Sequence, residues 1–133
     1  MEGRVVPLLV IAALTGGVFI LFSGKAEKRV TGVDVKMPAL SQVASNGQEI
    51  FKLNCSQCHG ENAGGTMQGP PLIHKYYEPN HHADGAFYRA ATNGVRAHHW
   101  RFGNMPPIRT VTQQDVSKII AFVREVQKAN GIF

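Results

Sequence analysis

The chain has 133 residues, enough for one small domain with an appendage and too few for two full domains. Its only two cysteines lie three positions apart, which excludes the spread disulfide framework that staples small exported domains. The formal charge is +5, and beyond the N-terminal stretch ten basic and seven acidic side chains are scattered without a dense Lys/Arg run; this excludes a nucleic-acid footprint and leaves weak steering toward an acidic protein partner.

From Val5 to Phe22 the sequence VVPLLVIAALTGGVFILF carries no charge. Eighteen helical residues rise about 27 Å, enough for the hydrocarbon core of a bilayer. The following FSGKAEKRV has no Ala-x-Ala cleavage pattern, so residues 1–22 are predicted as an uncleaved signal-anchor transmembrane helix rather than a removed leader. Residues 23–44 mix small, charged and proline residues without a sustained period and are expected to form a flexible linker. As coil it spans about 25 Å root-mean-square, and about 70 Å when fully extended.

The folded domain is expected over 45–133. Ser45-Asn46-Gly47-Gln48 has the form of a capping box and is followed by Ile50, Phe51 and Leu53, which predicts a helix running into the cysteine pair. A second helix is predicted over 84–93, with Asp84 as its cap, Phe87, Ala90 and Ala91 facing inward, and Gly94 ending it. The third starts at Thr112-Gln113-Gln114-Asp115. There Val116, Ile119, Ile120, Val123 and Val126 repeat at helical spacing with Phe122 alongside, and Asn130 and Gly131 stop the helix. Gly- and Pro-rich loops occupy 60–72 and 102–108, and no strand alternation is evident. The class is all-α with long loops, suited to folding around a large planar ligand.

Cys55-Ser56-Gln57-Cys58-His59 is a C-x-x-C-H motif, the attachment signal for c-type haem. Two thiols three apart on a helical turn can each add to one porphyrin vinyl group, and the next histidine is then held beneath the iron. A thioredoxin-like redox pair needs a βαβ context, and a zinc site needs two further ligands at matching spacing; neither accompanies this pair. A second axial ligand is offered by Met105, in the loop Phe102-Gly103-Asn104-Met105-Pro106-Pro107, 46 residues after His59. A methionine between Asn and Pro-Pro is poorly placed as a core gap-filler.

With these motifs the domain resembles a class I monohaem cytochrome c over about residues 45–130. Gly69-Pro70-Pro71-Leu72 is similar to the family's Gly-Pro-x-Leu loop. The resemblance implies that the Pro70 carbonyl accepts the Nδ1 proton of His59, which fixes the ring and raises its basicity. It further implies that Met105-Pro106 is the distal methionine loop. Gly47 and Phe51 are then the first-helix residues that pack on the last helix, against Ile119 and Phe122. The implied fold has three or more helices around one covalently bound haem c, with His59 and Met105 as axial iron ligands.

Five histidines lie outside this pattern: His74, His81, His82, His98 and His99. Three readings stand: surface histidines near a partner contact, a replacement for Met105 giving bis-histidine ligation, or a second metal site built from His81-His82 and His98-His99. Met67, eight residues after His59, is expected on the wrong face to compete. Trp100 and Arg101 are placed either to meet a haem propionate or, for Trp100, to line the crevice.

The implied function is one-electron transport by a carrier rather than an enzyme, anchored in the membrane through its N-terminal helix. The resemblance implies a cytochrome bc complex as donor and a terminal oxidase or photosynthetic reaction centre as acceptor. The alternatives are the electron-accepting subunit of a dehydrogenase or sulfur-oxidising complex, and a haem sensor with a displaceable distal ligand. Haem attachment places the domain on the periplasmic side of the bacterial inner membrane. Lys25, Lys28 and Arg29, heavier in charge than Arg4, pull toward the opposite orientation.

Overall fold

The computed structural model describes residues 32–133. The membrane helix expected over 1–22 therefore lies outside the described residues, as does the first part of the linker. Among the described residues no helix is long and apolar enough to cross a membrane. These residues form four helices: α1 (Gln42–Asn54), α2 (Ser56–His59), α3 (Asp84–Asn93) and α4 (Gln113–Ala129). A single 3-10 turn covers Lys75–Tyr77, and the sole β pairing among them is an isolated antiparallel bridge between Val95 and Met105.

The α1 helix begins four residues earlier than the Ser45 capping box suggests. Ser41 is the cap, its Oγ accepting from Ala44 N at 3.2 Å. Ser41 also donates from Oγ to Glu125 Oε1 (2.7 Å) and from N to Glu125 Oε2 (2.9 Å), so the start of α1 is tied to α4. Ser45 instead lies in the first turns, its N–H bonded to Ser41 O. Ala44, Gly47 and Phe51 are buried along one stripe of α1, facing α4. At Gly47 the two backbones come so close that a methyl group would overlap Lys118 O. One turn on, Phe51 and Phe122 meet with ring centroids 5.4 Å apart at 55°.

The expected flexible linker over 23–44 does not describe residues 32–44, and the domain begins before Ser45. Val33, Val35, Met37 and Leu40 pack against the core while Asp34 and Lys36 are exposed. Val33 N donates to Gly64 O at 2.7 Å. Asn130 holds Lys36 by both its main-chain groups, accepting from N at 2.9 Å and donating to O at 2.8 Å. The apolar side chains alternate with period two, the pattern of a one-sided extended segment.

Helix α4 supplies most of the buried side chains, with Thr112 and Asp115 forming a reciprocal capping box at its start. Its polar residues Arg124 and Gln127 stitch it to the segment over 72–84. Gln127 is almost fully buried; its Nε2 donates to Leu72 O (2.9 Å) and Tyr77 O (3.0 Å), and its Oε1 accepts from Arg124 Nη1 at 2.7 Å. Arg124 also donates to Tyr77 O (2.8 Å), His82 O (2.6 Å) and Asp84 Oδ1 (2.9 Å). Asp84 is thereby drawn to Arg124 rather than capping its helix; Ala83 occupies the cap position of α3 without a side-chain bond.

Gly47→Ala is expected to lower stability by about 3 kcal/mol, because the added methyl must push the helices apart; urea unfolding measures it. Thr112→Ala should cost about 1 kcal/mol at neutral pH. Hydrogen bonds from Thr112 hold the Asp115 carboxyl below its ordinary range, so their stabilisation is complete above that range and is lost as pH falls through the depressed value. The deficit of Thr112→Ala should therefore narrow below about pH 4.

Candidate functional site

The cysteine motif folds as a break followed by one turn. Helix α1 ends at Asn54, Cys55 leaves helical geometry at φ −126°, and α2 re-forms over Ser56–His59. The break is short because Cys55 N still reaches Phe51 O (2.8 Å), and Ser56 Oγ donates back to Lys52 O (2.6 Å). Gly60, at φ +75°, stops the turn and sends the chain into the loop over 60–72. That loop closes over α2: Thr66 Oγ1 donates to Cys58 O (2.6 Å), and a Cβ at Gly69 would lie 2.8 Å from Cys58 O. Pro70 is thereby delivered beside His59, whose Nδ1 donates to Pro70 O at 2.8 Å.

His59 is buried, and its Nδ1–H is committed, so its free ring nitrogen is Nε2. Burial pushes its pKa below the ordinary 6.5, only partly opposed by the Pro70 bond, which keeps the imidazole neutral and available as a ligand. Cys55 is half-buried and Cys58 exposed. Burial, followed by the neighbouring Cys58, raises the Cys55 thiol to about 11. Redox-active cysteine pairs carry a depressed thiol pKa, so this environment is unlike theirs.

Met105 reaches the same cavity from a different segment. After α3, Gly94 turns the chain with φ +74° and ψ −176°, a region open essentially to glycine alone. Val95 and Met105 then exchange two backbone hydrogen bonds of 2.9 Å, and Ile108 N bonds Ala91 O at 2.8 Å. These bonds hold the loop over 96–104 as a closed excursion and fix Met105 at its base. Cys55, His59, Pro70 and Met105 all line one cavity of about 600 Å³, walled by Phe51, Leu72, Phe87, Phe102 and Ile119. Met67 is exposed and does not line it.

Among the later histidines, His82, His98 and His99 border this cavity, whereas His74 and His81 do not. Trp100 lines it too, packed edge-on to His74 and Tyr76, and its Nε1 is buried without a hydrogen-bond partner among the described residues. Arg101 is exposed and outside the lining. Two residues that sequence reasoning did not single out, Arg89 and Arg96, bring charged side chains to the cavity, and among the described residues no carboxylate lines it. Their signal was weak: each is a single arginine among apolar or small neighbours, Arg89 between Tyr88 and Ala90 and Arg96 between Val95 and Ala97. Gln127 was likewise missed, although it falls on the buried stripe of α4.

An all-helical fold of this size, wrapped around an apolar cavity entered by a C-x-x-C-H turn, belongs to the class of small haem proteins. Residues 44–127 match the family model described as cytochrome c. The chain belongs to the cytochrome c family, whose members bind haem c and serve as electron carriers. Among solved structures it is similar to cytochrome CL from the marine methylotrophic bacterium Methylophaga aminisulfidivorans, at 27% identity and a TM-score of 0.46. That match covers 65% of this chain and 56% of the other, so the chain spans little more than half of that protein's length. A search of curated proteins found no match.

The cavity suits haem on its own chemistry. Its walls are apolar, a buried imidazole and a methionine both line it, and two arginines with a buried indole N–H provide donors for a dicarboxylate. Gly94 and Gly103 separate the two demands on the loop that carries Met105. Both have positive φ, but a methyl at Gly94 overlaps Met105 O while one at Gly103 meets nothing within 4 Å. Gly94→Ala should thus cost about 3 kcal/mol and Gly103→Ala only about 1 kcal/mol, read from parallel denaturant titrations.

Proposed function

We propose that the chain binds one haem covalently through Cys55 and Cys58, with His59 and Met105 as the two axial iron ligands, and carries single electrons as a membrane-tethered cytochrome. The observation that supports it most is the convergence of His59 and Met105, 46 residues apart, on one apolar cavity with Cys55 at its edge. The haem, when bound, supplies the ferrous–ferric couple. The protein's work is to hold its surroundings still. His59 presents Nε2 because Pro70 O holds the other ring nitrogen, which also orients the ring and strengthens it as a donor. Met105 presents sulfur from a base pinned by the Val95 bridge. Arg89, Arg96 and Trp100 are the groups suited to hold the carboxylates, and the apolar walls would keep water from a bound haem. A soft thioether ligand and a largely apolar site both favour the reduced state and a positive potential.

The tether in this proposal is Val5–Phe22, with the haem domain on the periplasmic side of a bacterial inner membrane. Because residues from 33 onward dock on the domain, ten residues separate this tether from the docked segment, a span of about 35 Å at full extension. The domain would stay near the membrane surface, within reach of a cytochrome bc complex as donor and a terminal oxidase or reaction centre as acceptor. Cys58 is exposed, so the attachment side of the site lies close to solvent, where a redox partner can approach.

In protein isolated from membranes, haem should remain with the wild-type chain on a denaturing gel and be lost from the chain when Cys55 and Cys58 are both replaced by alanine. Met105→Ala should retain its haem while its midpoint potential falls by more than about 60 mV, a tenfold change in the one-electron equilibrium. An unchanged potential in Met105→Ala would exclude Met105 as the axial ligand.

A further inference from the structure

Four of the five histidines left over by the haem site gather in one place. The turn over 78–84 brings up His81 and His82, and the excursion over 96–104 brings up His98 and His99. Ring centroids of His81, His82 and His99 stand 4.6 to 5.2 Å apart. One nitrogen from each of these three lies within 4.8 Å of the other two. At metal–nitrogen distances of about 2.0–2.1 Å, the square-planar geometry that copper(II) prefers separates neighbouring donors by about 2.9 Å, so the rings must draw together by up to about 2 Å. His81 is exposed and free to make that movement.

The two segments are already held for the purpose. His82 donates Nδ1–H to Tyr76 O, which leaves Nε2 as its lone-pair nitrogen, the arrangement found behind metal-bound histidines. Its own carbonyl is gripped by Arg124 Nη2 at 2.6 Å. On the other side Asn104 Oδ1 accepts from Ala97 N at 3.0 Å, and the Val95–Met105 bridge closes the excursion. His99 stacks on Tyr76 with centroids 4.6 Å apart at 21°, and its Nε2 is buried with no hydrogen-bond partner among the described residues. A buried imidazole nitrogen without a partner carries an unpaid desolvation cost that a metal ion would relieve.

The chemistry of the donors selects the ion. No acidic side chain forms an ion pair with these rings among the described residues, so nothing there holds them as imidazolium. Three neutral imidazoles without thiolate or carboxylate suit late first-row divalent ions, whose affinity order peaks at copper. We propose that His81, His82 and His99 bind one copper(II) ion, in preference to zinc(II), at the rim of the cavity. None of the residues assigned to the haem takes part.

The test uses untagged, haem-loaded full-length protein equilibrated with excess copper(II) or zinc(II) sulfate, freed of loose metal by gel filtration and assayed by elemental analysis. Affinities come from competition with a chromophoric chelator. Wild type should retain about one copper per chain and hold it at least about tenfold more tightly than zinc. His81→Ala, which removes an exposed ring with no hydrogen bond to the fold, and His99→Ala should each weaken copper binding at least about tenfold. His81→Ala, whose ring lies outside the cavity lining, should leave the haem absorption spectrum unaltered. Retention well below one copper by wild type, equal retention by both variants, zinc binding as tight as copper, or a changed haem spectrum in His81→Ala would each overturn the proposal.

Discussion

The crossing of α1 and α4 at Gly47 sets the distance on which the rest of the molecule depends. Without a side chain there, the backbone of α1 lies directly on Lys118 and Ile119, and Phe51 is carried onto Phe122 one turn later. Phe51 then stands 6.5 Å from the ring of His59, so the depth at which the C-x-x-C-H turn sits is measured from the helix crossing. Glu125 gripping the Ser41 cap fixes the same helix at its other end, which leaves α1 little freedom to slide. A close-packed pair of helices transmits such a displacement rather than absorbing it.

From that frame two loops bring up the chemistry. The loop over 60–72 is bound to α2 by Thr66 and flattened on it at Gly69, so that Pro70 O meets His59 Nδ1. The excursion over 96–104 is closed by Val95 and Met105 and tightened by Gly94. Neither loop has a core of its own. Each is held by backbone hydrogen bonds to a helix end, and each delivers one group to the cavity. Arg124 and Gln127 add a third set of ties, from α4 to the segment over 72–84 that carries His81 and His82.

Much of this was legible in the residues. The periodic run of α4, the stop at Gly94 and the helix over 84–93 follow from side-chain spacing and caps, and the cysteine motif declares its own chemistry. Residues 33–41 were misread because a period of two over five residues is too short to stand out from a polar linker. The start of α1 was misplaced because Ser41 owes its role to Glu125, a partner 84 positions away that no local pattern discloses. Arg89 and Arg96, and the convergence of the paired histidines, are tertiary facts of the same kind. The family match over residues 44–127 agrees with the domain read from the motifs; it does not extend to the N-terminal stretch.

The central claim is that the iron is held between His59 and Met105. Proton NMR of the diamagnetic ferrous protein tests it most directly, since a methyl group bound over the haem face is driven far upfield by the porphyrin ring current. The expected result is one methionine methyl resonance well upfield of all others, absent in Met105→Ala and present in Met67→Ala. A ferrous spectrum without such a resonance, or one abolished by Met67→Ala instead, would contradict the assignment.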